Sequence, residues 1–135
     1  MPLLESIPAL PVRNIQRSVN FYRGLLEMTP IHEEEGFAVL ARDAVTLHLW
    51  AASDESWRER SGDPPVVSGA ESFIAGTASC RIRVEGVDGL YDVLKTRGIL
   101  HPRAHLQNRA WGDRDFSVVD PDNNLVTFFE RKPAS

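Results

Sequence analysis

The sequence contains a single cysteine, Cys80, no long apolar run and no excess of positive charge. One cysteine cannot form an internal disulfide, so we expect a protein of the reducing cytoplasm. No stretch approaches the ~18 apolar residues of a membrane helix, and the proline-broken start MPLLESIPALPV is unlike a secretory signal. The net charge of −4 comes without a lysine- or arginine-rich stripe. These features predict neither a membrane nor a nucleic-acid partner.

Recognisable catalytic motifs are also missing: the sequence has no GxSxG, no Walker loop and no dinucleotide fingerprint. What is present is ordinary globular composition, with 42% hydrophobic and 25% charged residues. A chain of 135 residues has the size of one domain, and we expect a single domain over 1–135. It is long enough to bury a core without a disulfide or a structural metal.

Two segments of the sequence follow the same order of elements, which indicates an internal repeat. In the first, a short apolar stretch runs into Asn14 and then into IQRSVNFYRGLLEM, whose apolar residues have helical spacing. Asn14 is the predicted N-cap, because its side chain accepts hydrogen bonds from the free amides of the first turn. In the second, Asp88 is the predicted N-cap of GLYDVLKTRG, and Gly98 is expected to end that helix in a left-handed conformation.

The stretches that follow the two helices match as well. FAVLARDAVTLHLW begins at Phe37 and FSVVDPDNNLVTFF begins at Phe116, an offset of 79 residues that also pairs His48 with Thr127. Each stretch predicts an antiparallel hairpin with a polar turn, and DPDNN is the stronger turn signal. A strand before each hairpin completes a βαβββ unit that the chain uses twice.

The repeat sets the predicted boundaries. Module 1 covers about 5–52 and includes a strand at 29–35, whereas module 2 covers about 78–131 and includes a strand at 99–106. The intervening 53–77 is rich in serine, glycine, aspartate and proline, as in SGDPPVVSG, and is read as a linker.

The predicted fold class is α+β. Two tandem βαβββ modules are expected to form a cup-shaped, partly open, eight-stranded mixed sheet whose concave side either fills with side chains or holds a ligand. Within the linker, Ser56 and Glu59 have the spacing of a capping box, which predicts a short helix around Trp57.

Three features together resemble the vicinal oxygen chelate superfamily, and within it the bleomycin resistance proteins: the segment IPALPVRNIQRSVNFYRGLLEM, the paired modules and the segment AWGDRDFSVVDPDNNLVTFFER. The resemblance implies a homodimer without catalytic activity that sequesters a bleomycin-type cationic glycopeptide in grooves at the dimer interface. In such relatives the first strand is exchanged between subunits. One departure is Glu27, which stands where relatives usually end the first helix with glycine.

Enzymes of the superfamily hold a divalent ion on the concave strands, and the resemblance assigns that site to Ile7, His48, Arg81 and Thr127. Only His48 is a suitable ligand, because Ile7 offers no donor and Arg81 would repel a cation. We therefore expect no metal, no cofactor and no catalytic residue. A metal-dependent glyoxalase-like lyase or dioxygenase remains the alternative hypothesis, and a binding protein for another small aromatic molecule is a third.

A receptor for a flat, cationic drug needs aromatic surfaces beside acidic groups. Trp111 is the first candidate for stacking, although it could instead pack in the dimer interface. Phe37 is the second, but its pairing with Phe116 could make it a core residue of the module. The resemblance adds Trp50 and His32 as groove residues.

Two further features complete the predicted ligand site. His48 lies on a strand that faces the cup and either contacts ligand or packs. Glu33, Glu34 and Glu35 form the only run of three like charges, with Glu34 and Glu35 proposed to contact the drug. A solvated edge strand is the competing explanation for that run.

Overall fold

The computed structural model describes residues 1–52 and 78–132. In the first range the elements are β1 (Ala9–Val12), α1 (Ile15–Leu25), β2 (Thr29–Glu34), β3 (Phe37–Arg42) and β4 (Val45–Ala51). In the second they are β5 (Ser79–Arg83), α2 (Val87–Leu94) with a 3-10 turn (Lys95–Arg97), β6 (Gln107–Asn108), β7 (Asp113–Val119) and β8 (Leu125–Arg131). The linker and its predicted helix around Trp57 lie outside the described residues.

The α+β class and the repeated βαβββ unit are confirmed. The eight strands divide into two four-stranded mixed sheets rather than one, in the orders β1-β4-β3-β2 and β5-β8-β7-β6. Strand β1 pairs in parallel with β4, and β5 pairs in parallel with β8. All other neighbouring strands are antiparallel. No helix among the described residues is long and apolar enough to cross a membrane.

Helix α1 begins as its sequence predicts. The Asn14 side chain accepts a hydrogen bond from the amide of Arg17 at 2.8 Å, so the predicted N-cap is confirmed. One face of the helix, with Ile15, Val19 and Tyr22, is buried against the sheet.

Helix α2 begins two residues earlier than predicted, and the cap assigned to Asp88 is wrong. Gly86 is the N-cap residue, and the Glu130 carboxylate accepts hydrogen bonds from the amides of Gly86 and Val87 at 3.0 and 3.3 Å. Those backbone bonds lower the pKa of Glu130. Asp88 instead lies in the first turn, where it accepts a hydrogen bond from Arg114 at 2.9 Å. The capping carboxylate thus comes from the neighbouring strand.

The strand predicted at 99–106 is also wrong. The chain pairs with β7 through one isolated bridge, Leu100 with Val118, and one further hydrogen bond from the Ser117 amide to the carbonyl of Ala104 at 2.9 Å. Ladder pairing resumes only in the two-residue β6. Pro102 has no amide to donate, and the amide of Arg103 turns back to His101 Nδ1 at 3.1 Å. A regular ladder cannot continue through such a turn.

Each sheet has one side packed under its helix and another side, which we call its open face. Phe37 pairs with Trp50 in the first hairpin, and Asp115 pairs with Phe129 in the second. The separation between the two modules is 79 residues for Trp50 and Phe129, but 78 residues for Phe37 and Asp115. The turn of the second hairpin is therefore one residue longer, and a one-residue shift reverses the faces of the preceding strand. The predicted pairing of Phe37 with Phe116 is wrong: Phe37 lies on an open face, whereas Phe116 is fully buried and contacts Tyr91 of α2.

The DPDNN turn joins the two modules. Asp120 is buried and accepts a hydrogen bond from the Tyr22 hydroxyl at 3.0 Å, and Asn124 donates to the carbonyl of Pro11 at 2.8 Å. Arg17 pairs with Asp122 at 2.7 Å. Burial and the nearby Asp120 carboxylate raise the pKa of Tyr22 well above its usual value. Apolar side chains of both modules form one continuous core around this seam.

Candidate functional site

An aromatic cluster covers the open face of the first sheet. The Phe37 ring lies 4.4 Å from the Trp50 ring and 5.1 Å from the His48 ring, centroid to centroid, and the His32 ring lies 5.8 Å away on the edge strand. We call these four residues the aromatic face. Phe37, His48 and Trp50 are only partly buried, so their rings remain accessible from the open side.

Strand register explains why these side chains meet. Phe37 pairs with Trp50 across β3 and β4, and His48 precedes Trp50 by two residues on the same side of the strand. The intervening Leu47 and Leu49 point to the opposite side and are fully buried under α1. Four of the predicted ligand residues are thus brought together on one surface.

Trp50 contributes a buried hydrogen-bond donor to this surface. Its indole Nε1 has no hydrogen-bond partner within the described ranges 1–52 and 78–132. A buried donor without an acceptor costs about 1–3 kcal/mol. Because Nε1 is not exposed, a ligand that rests on the rings does not reach it in this conformation.

Acidic side chains border the aromatic face. Glu33, Glu34 and Glu35 are all exposed at the end of β2 and in the turn that follows, and Glu34 lies 3.0 Å from His32 Nε2. An open cleft of about 850 Å³ separates residues 33–36 from the start of α1 at residues 13–16. The predicted charge run is therefore an exposed edge strand and also one wall of this cleft, whose lining includes none of the four residues of the aromatic face.

Trp111 lies apart from that surface, in module 2. It occupies the loop between β6 and β7 and is 67% exposed. Its Nε1 donates to Asp113 Oδ2 at 3.1 Å, and the guanidinium carbon of Arg109 lies 5.7 Å from its ring centroid. Within one chain, the two predicted stacking residues therefore belong to different sheets.

The open face of the second sheet carries charged side chains around one aromatic ring, that of Phe129. Asp115 is 1% exposed and pairs with Arg109 at 2.9 Å and with Arg81 at 3.4 Å. The Arg81 guanidinium also lies over the Phe129 ring at 4.7 Å. Sequence reasoning missed this network. The alternation in DRD, which puts Asp113 and Asp115 on one side of β7, was the available signal.

The superfamily metal site does not fit the residues present. Register places Ala9 beside His48, so the assignment of Ile7 is wrong by two residues, and it places Arg81 beside Thr127. Ala9 supplies no ligand atom, and the Thr127 hydroxyl is buried in a 2.6 Å hydrogen bond to Ser117. No group of three or more histidine, cysteine, aspartate or glutamate side chains suited to a metal occurs in the described part of the chain.

Cys80 does not have the properties of a nucleophile. It lies on the helix side of β5, and burial together with the Asp120 carboxylate raises the pKa of its thiol to about 11. At neutral pH the group is therefore an uncharged thiol, which is a weak nucleophile.

Comparison with known proteins relates this geometry to a family. The model of the Glyoxalase/Bleomycin resistance protein/Dioxygenase superfamily matches residues 7–128. Proteins named "Bleomycin resistance protein" from Geobacillus stearothermophilus and Staphylococcus aureus are 59% identical over 129 residues, covering 96% of this chain and 98% of theirs.

Solved structures share the fold at lower identity. A bleomycin-binding protein complexed with bleomycin has a TM-score of 0.70 at 21% identity, with 96% of this chain and all of that one covered. The bleomycin-binding protein of Streptomyces verticillus, complexed with copper(II)-bleomycin, has a TM-score of 0.70 at 20% identity and 99% coverage of both chains.

Proposed function

The chain belongs to the glyoxalase/bleomycin resistance protein/dioxygenase superfamily, and we propose that it is a non-catalytic protein that sequesters bleomycin-type cationic glycopeptides. It acts as a cytoplasmic homodimer with a binding groove at each side of the interface. The observation that carries this proposal is the aromatic face bordered by three exposed glutamates. The 59% identity to proteins named for bleomycin resistance supports it.

The aromatic face suits the planar part of such a drug. Phe37 and Trp50 present adjacent rings, and an aromatic contact contributes ~0.5–1.5 kcal/mol beyond the area that it buries. Stacking on these two rings therefore supplies affinity for the planar group.

The acidic border suits the positively charged tail. Glu33, Glu34 and Glu35 attract a cation toward the cleft and hold it at its wall. Because these carboxylates are exposed, each pair contributes at most ~1 kcal/mol and weakens with salt. The charge run thus accelerates capture more than it strengthens binding.

The dimer accounts for the separation between Trp111 and the aromatic face. In one chain Trp111 lies on the loop between β6 and β7, exposed and without an aromatic partner among the described residues of its module. A second subunit that presents its own Trp111 opposite Phe37 would enclose the planar ligand between two rings. Two equivalent grooves then follow from two-fold symmetry.

The side chains at the superfamily metal positions support a non-catalytic role. Ala9, Arg81 and Thr127 leave His48 as the single suitable donor, so the cavity binds a guest without a Lewis acid to transform it. Sequestration alone protects DNA, because a bound drug cannot reach it.

A calorimetric titration tests the proposal. Metal-free bleomycin and copper(II)-bleomycin are each titrated into the dimer, whose mass is checked by light scattering, and elemental analysis is made on the same sample. We expect saturable binding at micromolar concentration or tighter, one drug per subunit and no stoichiometric metal in the free protein. Lack of saturable binding by an intact dimer contradicts the proposal, and a stoichiometric metal held by His48 would favour the enzyme hypothesis.

A further inference from the structure

The exposed indole of Trp111 is tethered by a single carboxylate oxygen. Asp113 Oδ2 accepts a hydrogen bond from Trp111 Nε1 at 3.1 Å and another from Arg81 Nη2 at 2.9 Å. The Asp113 side chain is only 15% exposed, so this oxygen is largely shielded from water. Trp111 is therefore joined through Asp113 to a cation on β5, the strand at one edge of the sheet.

The tether is part of a closed ring of contacts. Arg81 reaches Asp115 at 3.4 Å, Asp115 accepts from Arg109 Nε at 2.9 Å, and the Arg109 guanidinium returns to the Trp111 ring at 5.7 Å. Asp115 is the buried member, at 1% exposure, and it fixes both arginines. The indole is thus held at its nitrogen and beside its ring by groups that share one anchor.

The backbone of the loop is fixed as well. Arg109 donates its amide to the carbonyl of Asp113 at 2.6 Å, and Gly112 donates to the carbonyl of Arg109 at 3.1 Å. Gly112 has a φ of 103°, a conformation that other residues rarely adopt. Because the loop backbone is fixed, the remaining flexibility of Trp111 is rotation about its side-chain torsions. The contacts with Asp113 and Arg109 restrict that rotation.

We propose that Asp113, held by Arg81, is a positioning residue that orients the Trp111 indole before any ligand binds. The ligand then meets a fixed aromatic surface and does not have to order it. Arg81 occupies a superfamily metal-ligand position, where its positive charge would repel a cation. In this chain it instead holds Asp113, and through Asp113 the stacking residue Trp111. The consequence for affinity rests on the proposed function, whereas the ordering of the free protein does not.

The first experiment measures order in the free protein. The chain has three tryptophans, so its ¹⁵N-labelled form gives three indole N–H signals, and Trp111→Phe identifies the one from Trp111. We expect a heteronuclear NOE typical of rigid backbone for this signal, and a fall to values typical of a mobile side chain in Asp113→Ala. Asp113→Asn keeps an oxygen acceptor and should retain most of the order. An unchanged Trp111 signal in Asp113→Ala overturns the proposal.

A matched control separates positioning from general damage. Asp92→Ala removes an aspartate from an ion pair elsewhere, with Lys95 of the 3-10 turn that follows α2, and should leave the Trp111 signal unchanged. If Asp113→Ala does not fold, Arg81→Met provides the second test. It leaves the Asp113 acceptor in place without its anchor, so the NOE of Trp111 should fall to an intermediate value, and full rigidity there overturns the proposal.

The second experiment measures the consequence for binding with metal-free bleomycin as the probe. Ordering one side chain on association weakens binding roughly 2- to 12-fold, and we expect Asp113→Ala to do so with Asp113→Asn close to wild type. Mobile Trp111 with unchanged affinity contradicts the binding half of the proposal. If bleomycin binds no variant, the proposed function fails, while the NOE of Trp111 still decides whether Asp113 positions it.

Discussion

The two open faces have the same topology and opposite chemistry. Phe37 of the first sheet and Asp115 of the second occupy equivalent positions, as do Trp50 and Phe129. Phe37 and Trp50 belong to a cluster of partly exposed rings, whereas Asp115 is buried between two arginines. The repeated unit therefore determines where a side chain points, and the residue at each position determines whether that face recognises a ligand or stabilises a loop.

The longer turn of the second hairpin explains how similar sequences acquired different faces. One extra residue between β7 and β8 moves Phe116 under α2 and turns Asp115 to the open side. The same turn carries Asp120 and Asn124 into the seam between the modules. Its counterpart in module 1, around Asp43, remains exposed. The longer turn thus provides the contacts between the two modules and also places Asp115 on the open face.

Replacement of Asp115 should have the largest effect on stability. Asp115→Ala leaves two arginines facing each other beside a cavity, and we expect the free energy of unfolding to fall by about 2–3 kcal/mol. The loss stays below that of a fully buried pair because Arg81 and Arg109 are 45% and 31% exposed. Urea denaturation measures it.

Phe37→Ala at the equivalent position provides the contrast. The ring is partly exposed, so we expect less than about half of the loss seen for Asp115→Ala. Equal losses would show that the first face is a second structural core and would remove the chemical difference between the sheets.

The same Phe37→Ala variant should have its main effect on ligand binding. Loss of a central stacking ring is expected to weaken bleomycin binding about 30-fold, measured by calorimetry. Ile31→Ala is the control, because Ile31 lies next to His32 on the same edge strand, is 62% exposed and does not belong to the aromatic face. An equal effect of both substitutions would count against the aromatic face as the binding surface.

The sequence predicted the architecture better than the chemistry of the second face. Helical spacing after Asn14 and the paired hairpins depend on local patterns, and both are confirmed. The role of Asp115 was hidden because it depends on register, which one additional turn residue reverses. The α2 cap was missed for a similar reason, since Glu130 lies on β8, 44 residues after Gly86 in the sequence. Contacts across the sheet have no local signature.

Alkaline pH should lower the free energy of unfolding through deprotonation of Cys80. Burial raises the pKa of Cys80 to about 11 in the folded protein, against about 9 for an ordinary thiol. The folded state therefore holds this proton more tightly, and its stabilising contribution is complete below pH 9 and lost as the pH rises toward 11. Between pH 8 and 10 we expect wild type to lose about 1 kcal/mol more stability than Cys80→Ala.

The comparison of denaturation midpoints at the two pH values reports mainly the thiol, because Tyr22 is present in both proteins and Cys80 is only a minor cause of its raised pKa. Parallel losses in wild type and Cys80→Ala would mean that the thiolate is solvated without unfolding and that Cys80 is not sealed in the seam.

The smallest expected effect concerns the ends of the two helical segments. Gly98 closes the second in a left-handed conformation, as predicted, whereas Glu27 adopts the same region after α1 with a φ of 55°. Glu27→Gly relieves that strain at the cost of an exposed contact with Arg97 at 3.7 Å, for a net gain of about 0.5 kcal/mol. Thermal denaturation should show a melting temperature higher by roughly 1–3 °C. Gly98→Ala, the reciprocal control, should lower it, because alanine is disfavoured at positive φ. A lower melting temperature for Glu27→Gly would mean that the pair with Arg97 outweighs the backbone strain, and the two modules would then end their helices by different means.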